Sequence, residues 1–316
     1  MSTFFWTLPT QNVKNINKHA VVDLIRFTSG GISRIELSRQ MNLTRAAITT
    51  IVADLQSEGL VREVESHYPS GRRPIVLEIN PERGYVVGID MGATHVTILV
   101  TDYSARVVRE LDETLDINAG PAVCLPRVEE LVHRILAEAG LTLKDVSAIG
   151  AGVPGPVVAG VGVSGPPIMP GWDGYPIRDD LAKRFGLPVS LRNDAELGAI
   201  GEWAYGAGRG ERHLAYIKVG TGIGAGLLLD GQIYGGANGS AGEIGHVTID
   251  ESGPICTCGN RGCLEALAGG RAIARRAIQE VNSGRRTMLA EITPTSNIRS
   301  RDVIAAARRG DLVSQQ

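Results

Sequence analysis

Three of the four cysteines in this 316-residue chain fall within eight positions, Cys256-x-Cys258-x4-Cys263, and His246 stands ten residues before the first of them. Three soft sulfurs and one imidazole suit tetrahedral zinc. Four protein ligands leave no open position for a hydrolytic water, so the metal expected here is structural. Gly259 and Gly262 let the loop fold back on itself. The alternative is three thiols packed in a glycine-rich loop, which requires neither their number nor their closeness. Cys124 reads as an ordinary small apolar residue.

Polar groups suited to a hydroxyl-rich ligand lie nearby in sequence. Glu243 precedes His246 by three residues, Glu265 follows the last cysteine, and Asn193 and Asp194 stand where an apolar strand, "LPVSL", gives way to a helix. A carboxylate at that junction either caps the helix or stands in a cleft and accepts a proton from a hydroxyl. Carboxylates and amides together provide the acceptors and donors that a sugar needs, and a zinc loop beside them would hold them rigid.

Two glycine turns have the composition of phosphate cradles. In "YVVGIDMGATHVTILVTD", two apolar runs flank Asp90, Gly92 and Thr94; in "VGTGIGAGLLLDG", Gly220, Thr221 and Gly222 lie between two strands. Because a strand follows the second loop, the dinucleotide fingerprint is rejected. Two strand-loop-strand cradles about 130 residues apart imply a two-lobed cleft; the alternative is a pair of tight hairpins.

The elements that must position these residues begin at Tyr85, and the segment before them differs in character. Ile16, Val21, Leu24 and Ile25 form a helical stripe, Ser33 and Glu36 a capping box, and Thr44 a cap. After that cap, Ile48, Ile51, Val52 and Leu55 share one helix face, leaving Arg45, Thr49 and Thr50 on the other. Two strands, "LVREVESHY" and "PIVLEINP", are joined through Arg72 and Arg73. This is the pattern of a winged helix-turn-helix over residues 1–83, with Thr44, Arg45 and Thr49 on the reading helix and the two arginines at the wing. Residues 1–83 carry ten Lys or Arg and eight Asp or Glu, so the case for DNA rests on placement. A helical dimerisation bundle is the alternative, though it has no use for a basic wing tip.

The formal net charge of −2 gives no global pull toward nucleic acid or membrane. The N-terminus lacks a basic start followed by an apolar signal core, and no stretch approaches the roughly 18 apolar residues of a membrane span. A cytoplasmic, reducing setting with no membrane partner is expected, which disfavours a disulfide framework.

The stretch "GEIGHVTIDESGPICTCGNRGCLEALAGG", with looser matches at "GVPGPV" and "RNDAE", resembles the ROK family (repressor, open reading frame, kinase). The resemblance extends over essentially the whole chain. It implies an α/β architecture: an N-terminal winged helix-turn-helix followed by a two-lobed actin-like, sugar-kinase (ribonuclease H-like) ATPase fold over residues 84–316, with lobes at 84–205 and 206–316. It also implies zinc on His246, Cys256, Cys258 and Cys263, and a sugar site lined by Asn193, Asp194, Glu243, His246 and Glu265, with Asp194 the base in the kinases. Two departures stand out. Ala93 replaces the second glycine of the kinases' D-x-G-G-T turn, and the second lobe is expected to be incomplete, since family members continue past "RDVIAAARRGDLVSQQ" with an adenosine-binding segment.

Two functions follow from the resemblance. The first is a repressor of carbohydrate genes that binds a double-stranded DNA operator as a homodimer or dimer of dimers, with a sugar or amino sugar as effector. The second is a sugar kinase using ATP and Mg2+.

Overall fold

The computed structural model describes residues 13–65, 75–158, 160–165, 169–292 and 294–316. The chain begins with helices α1 (Val13–Phe27), α2 (Arg34–Met41) and α3 (Arg45–Ser57), followed by strands β1 (Val61–Glu65) and β2 (Ile75–Ile79). Ser33 and Glu36 form the expected capping box on α2, and the Thr44 hydroxyl caps α3 by accepting from the Ala47 amide. The apolar stripe of α3 is buried against Val21, Ile25 and Leu37, whereas Ile16 is exposed, one turn too early to reach this core. β1 and β2 pair antiparallel, and a bridge between Ile32 and Leu77 adds a third short edge. Arg72 and Arg73 lie outside the described residues.

Tyr85 opens the larger unit. Strands β3 (Tyr85–Met91), β4 (His95–Asp102) and β5 (Val107–Thr114) form an antiparallel meander covered by α4 (Pro121–Glu138). β6 (Val146–Val153) then pairs parallel to β3. The short strands β7 (Val157–Val158) and β8 (Gly162–Val163) and helix α5 (Ile177–Phe185) lead into β9 (Val189–Asn193), parallel to β6. The resulting sheet has the order β5-β4-β3-β6-β9. Its core contains Cys124, fully buried as its apolar reading anticipates, and Trp172, whose indole N–H donates to the Ile117 carbonyl at 2.9 Å.

Helix α6 (Asp194–Tyr205) follows β9 directly and packs on a second, antiparallel sheet of β10 (Leu214–Val219), β11 (Ile223–Leu229) and β12 (Gln232–Ile233). The approach is backbone to backbone. A Cβ on Gly226 would stand 2.1 Å from the Ala195 carbonyl oxygen, so only glycine allows α6 this close to β11. Beyond this sheet run α7 (Leu264–Ala268), α8 (Gly270–Asn282), α9 (Ser300–Arg308) and α10 (Leu312–Gln315), the last three gathered around Ala277, Leu289 and Val303. Among the described residues, no helix is long and apolar enough to cross a membrane.

Candidate functional site

A cleft opens between the two sheets. Its walls are the β3–β4 turn (Gly92, Ala93), the β9–α6 junction (Asn193, Asp194), the β10–β11 turn (Gly220, Thr221, Gly222) and the segment carrying Glu243, His246 and Glu265. All five residues expected to contact a sugar therefore face one space, together with both glycine turns. Thr94 is exposed and does not line the cleft. Both turns run strand to strand, as the rejection of a dinucleotide fingerprint requires.

The junction divides its labour between neighbours. Asn193 caps α6: its Oδ1 accepts from the Ala195 and Glu196 amides at 2.8 and 3.1 Å, while Nδ2 donates to the Gly155 carbonyl at 3.0 Å. One Nδ2 hydrogen remains for a ligand. With capping done by Asn193, the Asp194 carboxylate is left to face the cleft, where its Oδ2 accepts from Lys218 Nζ at 2.7 Å.

Lys218 is the residue that sequence reasoning missed. It lies on β10 between Ile217 and Val219, both more than half exposed, while Lys218 itself is turned inward. Strand alternation read from residue type would place the two apolar side chains inside and the lysine in water. Burial pulls the ammonium down in pKa, but the Asp194 and Asp90 carboxylates outweigh it and hold the group above the ordinary lysine range. Burial also pushes the Asp90 carboxyl above its usual range, with Lys218 pulling it back. Asp90 Oδ1 is buried without a hydrogen-bond partner among the described residues.

The cysteine cluster adjoins the cleft through His246. His246, Cys256, Cys258 and Cys263 bring one ligand atom each to within 4.8 Å of one another. Cys258 Sγ and Cys263 Sγ stand 3.7 Å apart. Zinc–thiolate bonds of about 2.3 Å in a tetrahedron would separate two sulfurs by about 3.8 Å, so the donor set fits that ion in chemistry and in spacing. Gly262 is what lets the loop turn in. Its φ is +60°, and a Cβ there would fall 1.5 Å from the Asp250 carbonyl oxygen.

His246 joins the two sites through opposite edges of one ring. Nδ1 faces Cys256 Sγ at 3.5 Å and Nε2 faces Glu243 Oε2 at 3.6 Å. Burial holds the Glu243 carboxyl above its ordinary range, with His246 opposing and Glu265 and Asp194 adding to the rise. Glu265, in the first turn of α7, accepts from the Ile223 amide at 2.9 Å and so ties the cysteine loop to β11. Bare main chain lines the cleft at Gly242, and a Cβ on Gly242 or on the buried Gly245 behind it would stand 1.9 or 2.1 Å from the carbonyl oxygens of Ala225 and Ile223.

On the N-terminal unit, Arg45 and Thr49 are exposed on α3. The Thr49 hydroxyl proton goes to the Arg45 carbonyl at 2.8 Å, leaving its oxygen and methyl group outward. This unit also touches α6. The Phe27 ring at the end of α1 lies 5.1 Å from the Trp203 ring and 6.0 Å from that of Tyr205, edge-on to both.

Comparison with known proteins matches residues 86–316 to the ROK family. The xylose repressor of Caldicellulosiruptor bescii is 32% identical over 306 residues, covering 95% of this chain and 75% of that protein. The DNA-binding transcriptional dual regulator NagC of Escherichia coli K12 is 29% identical over 311 residues, 96% of this chain and 74% of that one. Among solved structures, a ROK family transcriptional regulator homologous to the E. coli MLC protein superimposes with a TM-score of 0.74 at 28% identity, covering 96% of this chain and 76% of that chain. A ROK family glucokinase from Streptomyces griseus, in complex with glucose and AMPPNP, gives 0.62 at 31% identity over 73% of each chain. With the family match spanning most of the chain and carrying the cysteine loop, the carboxylates and both glycine turns, this protein belongs to the ROK family.

Proposed function

We propose that this chain is a sugar-responsive transcriptional repressor of carbohydrate genes. Residues 1–83 act as a winged helix-turn-helix on a double-stranded DNA operator: Thr44, Arg45 and Thr49 on the reading helix, Arg72 and Arg73 at the wing. Residues 84–316 bind a sugar or amino sugar through Asn193, Asp194, Glu243, His246 and Glu265. His246, Cys256, Cys258 and Cys263 hold a structural zinc that fixes the wall of that cleft at His246. The protein acts as a homodimer or dimer of dimers, since two reading helices are needed to span two half-sites.

The observation that carries this reading is the course of α6. Its first residue, Asp194, faces the cleft, and Trp203 and Tyr205 near its last turn hold Phe27 of the N-terminal unit. A helix of 12 residues spans about 18 Å, so a shift at the cleft is delivered as a shift under α1. A sugar that favours one position of α6 over another, where DNA favours the other, changes DNA affinity by at most that preference. The test is operator binding by fluorescence anisotropy at fixed salt, repeated with a panel of free monosaccharides. At least one sugar should change the dissociation constant about fivefold or more; no response to any sugar, with DNA binding intact, would reject the reading.

Asp90, Asp194 and the two glycine turns favour a second reading, an ATP-dependent sugar kinase. In it Asp194 takes the proton of the accepting hydroxyl, and Asp90, Gly92, Thr94, Gly220, Thr221 and Gly222 receive the phosphates and Mg2+. Sugar-dependent ADP release that Asp194→Asn abolishes would establish it.

A further inference from the structure

Lys218 is bonded to one of the two acidic residues on which the kinase reading depends, Asp194, and lies close enough to act on the charge of the other, Asp90. Its Nζ donates to Asp194 Oδ2 at 2.7 Å, with the carboxylate the more buried partner, 13% exposed against 35%. Its charge also acts on Asp90, whose Oδ1 is buried and unpartnered among the described residues. An inward lysine flanked by outward Ile217 and Val219 runs against ordinary burial. Such an arrangement persists where the charge has a partner and a use.

We propose that Lys218 is the specificity-determining residue of the cleft: its ammonium neutralises the two carboxylates on which a divalent cation would depend, so that the site takes an uncharged, unphosphorylated sugar and excludes a metal–nucleotide complex. The proposal rests on the reading of this cleft as a sugar site. A hard cation such as Mg2+ binds through carboxylates and phosphate oxygens and needs them free of competing positive charge. Here one oxygen of Asp194 is committed to an ammonium, and an ion placed between Asp194 and Asp90 would meet that charge at contact range. A sugar hydroxyl meets the opposite situation. Two of the three N–H groups of Lys218 are not used by Asp194, and an accepting oxygen lies beside them, so one hydroxyl can both accept and donate. The remaining charge selects against anions. Among the described residues, Asp194, Glu243 and Glu265 set three carboxyl groups against the one lysine lining the cleft, which opposes a phosphorylated sugar.

The test is a manganese titration by calorimetry on the zinc-loaded, full-length protein, comparing wild type, Lys218→Ser, Lys218→Arg and the double variant Asp90→Asn/Lys218→Ser. Wild type and Lys218→Arg should show no Asp90-dependent manganese site. Lys218→Ser should gain one, at least about tenfold tighter than any residual wild-type binding, and the double variant should lose it again. Equal manganese affinity in wild type and Lys218→Ser, whether both bind or neither does, overturns the proposal. Should Lys218→Ser fail to fold, the wild type against Asp90→Asn still decides, because an Asp90-dependent site in the wild type is incompatible with it. A parallel titration compares free hexoses and pentoses with a hexose 6-phosphate. Free sugars should bind the wild type with the same affinity with and without Mg2+, and tighter binding of the phosphate ester overturns the choice of ligand class. Failure of every sugar to bind counts against the sugar reading itself and leaves the manganese comparison intact.

Discussion

Phe27 meets Trp203 edge to face, their ring centroids 5.1 Å apart at an interplanar angle of 68°, although 176 residues separate them in the chain. Such aromatic pairs contribute about 0.5–1.5 kcal/mol beyond their burial, enough to transmit a two- to tenfold change in affinity but small enough to be broken. Phe27→Ala should leave sugar affinity and sugar-free operator affinity near wild type while reducing the sugar's effect on DNA by about two- to tenfold. Titrating DNA in the presence and absence of the effector measures this directly; an unchanged sugar response would show that the signal takes another route.

Metal should be part of the fold. Freshly purified protein should contain one zinc per chain, and Cys258→Ser should lose it together with stability on the order of 4 kcal/mol, the size of effect that follows loss of a metal site. Because His246 presents its other edge to Glu243, sugar affinity should fall in the same variant. Metal analysis together with thermal melting tests both; a zinc-free wild type with undiminished stability would remove the structural role.

Asp90 should make stability fall as pH rises. Burial holds its folded-state pKa above the unfolded value of 3.8. Below that value the group is protonated in both states and costs nothing. As pH climbs through the raised folded value, the folded state must carry a buried charge, and stability is lost. Asp90→Asn should therefore stabilise the ligand-free protein at pH 7 and have little effect near pH 3. Denaturant melts at the two pH values check the sign, and equal effects at both would refute it.

On DNA, anchoring and reading should separate. Arg72→Ala, in the proposed wing, should weaken specific and nonspecific binding alike and lower the salt slope by about one, whereas Arg45→Ala on α3 should cost about 1–3 kcal/mol of sequence discrimination. Competition against nonspecific DNA over a range of salt distinguishes them. Loss of discrimination in the Arg72 variant alone would reverse the assignment.

Much of this was legible because the chemistry is local in sequence. The cysteine loop spans 18 residues from His246 to Cys263, and its spacing announces four donors before any fold is known. The capping box at Ser33 and Glu36 and the cap at Thr44 are likewise short-range patterns, and the structure carries both. Asn193 and Asp194 could be placed at a helix start, though not told apart as cap and cleft residue, because either side chain can do either task. Lys218 was illegible for a definite reason. Period-two alternation assigns Ile217 and Val219 to the core, and the register of β10 against β11 turns the lysine toward the cleft instead. The Phe27–Trp203 contact joins distant segments through packing alone, which no local pattern encodes.

The bare main chain at the cleft bears on how this sensor can be retuned, in evolution or as a laboratory biosensor. At Gly242 and Gly245 any side chain would collide with the carbonyls of Ala225 and Ile223, so these positions offer no variation to select from. A library aimed there returns misfolded protein. Under the proposed sugar reading, a changed preference would instead arise at Asn193, Lys218, Glu243 and Glu265, whose side chains line the cleft. On the proposed route, a scaffold with a fixed base and an editable edge would diversify its input while α6 carries the output unchanged.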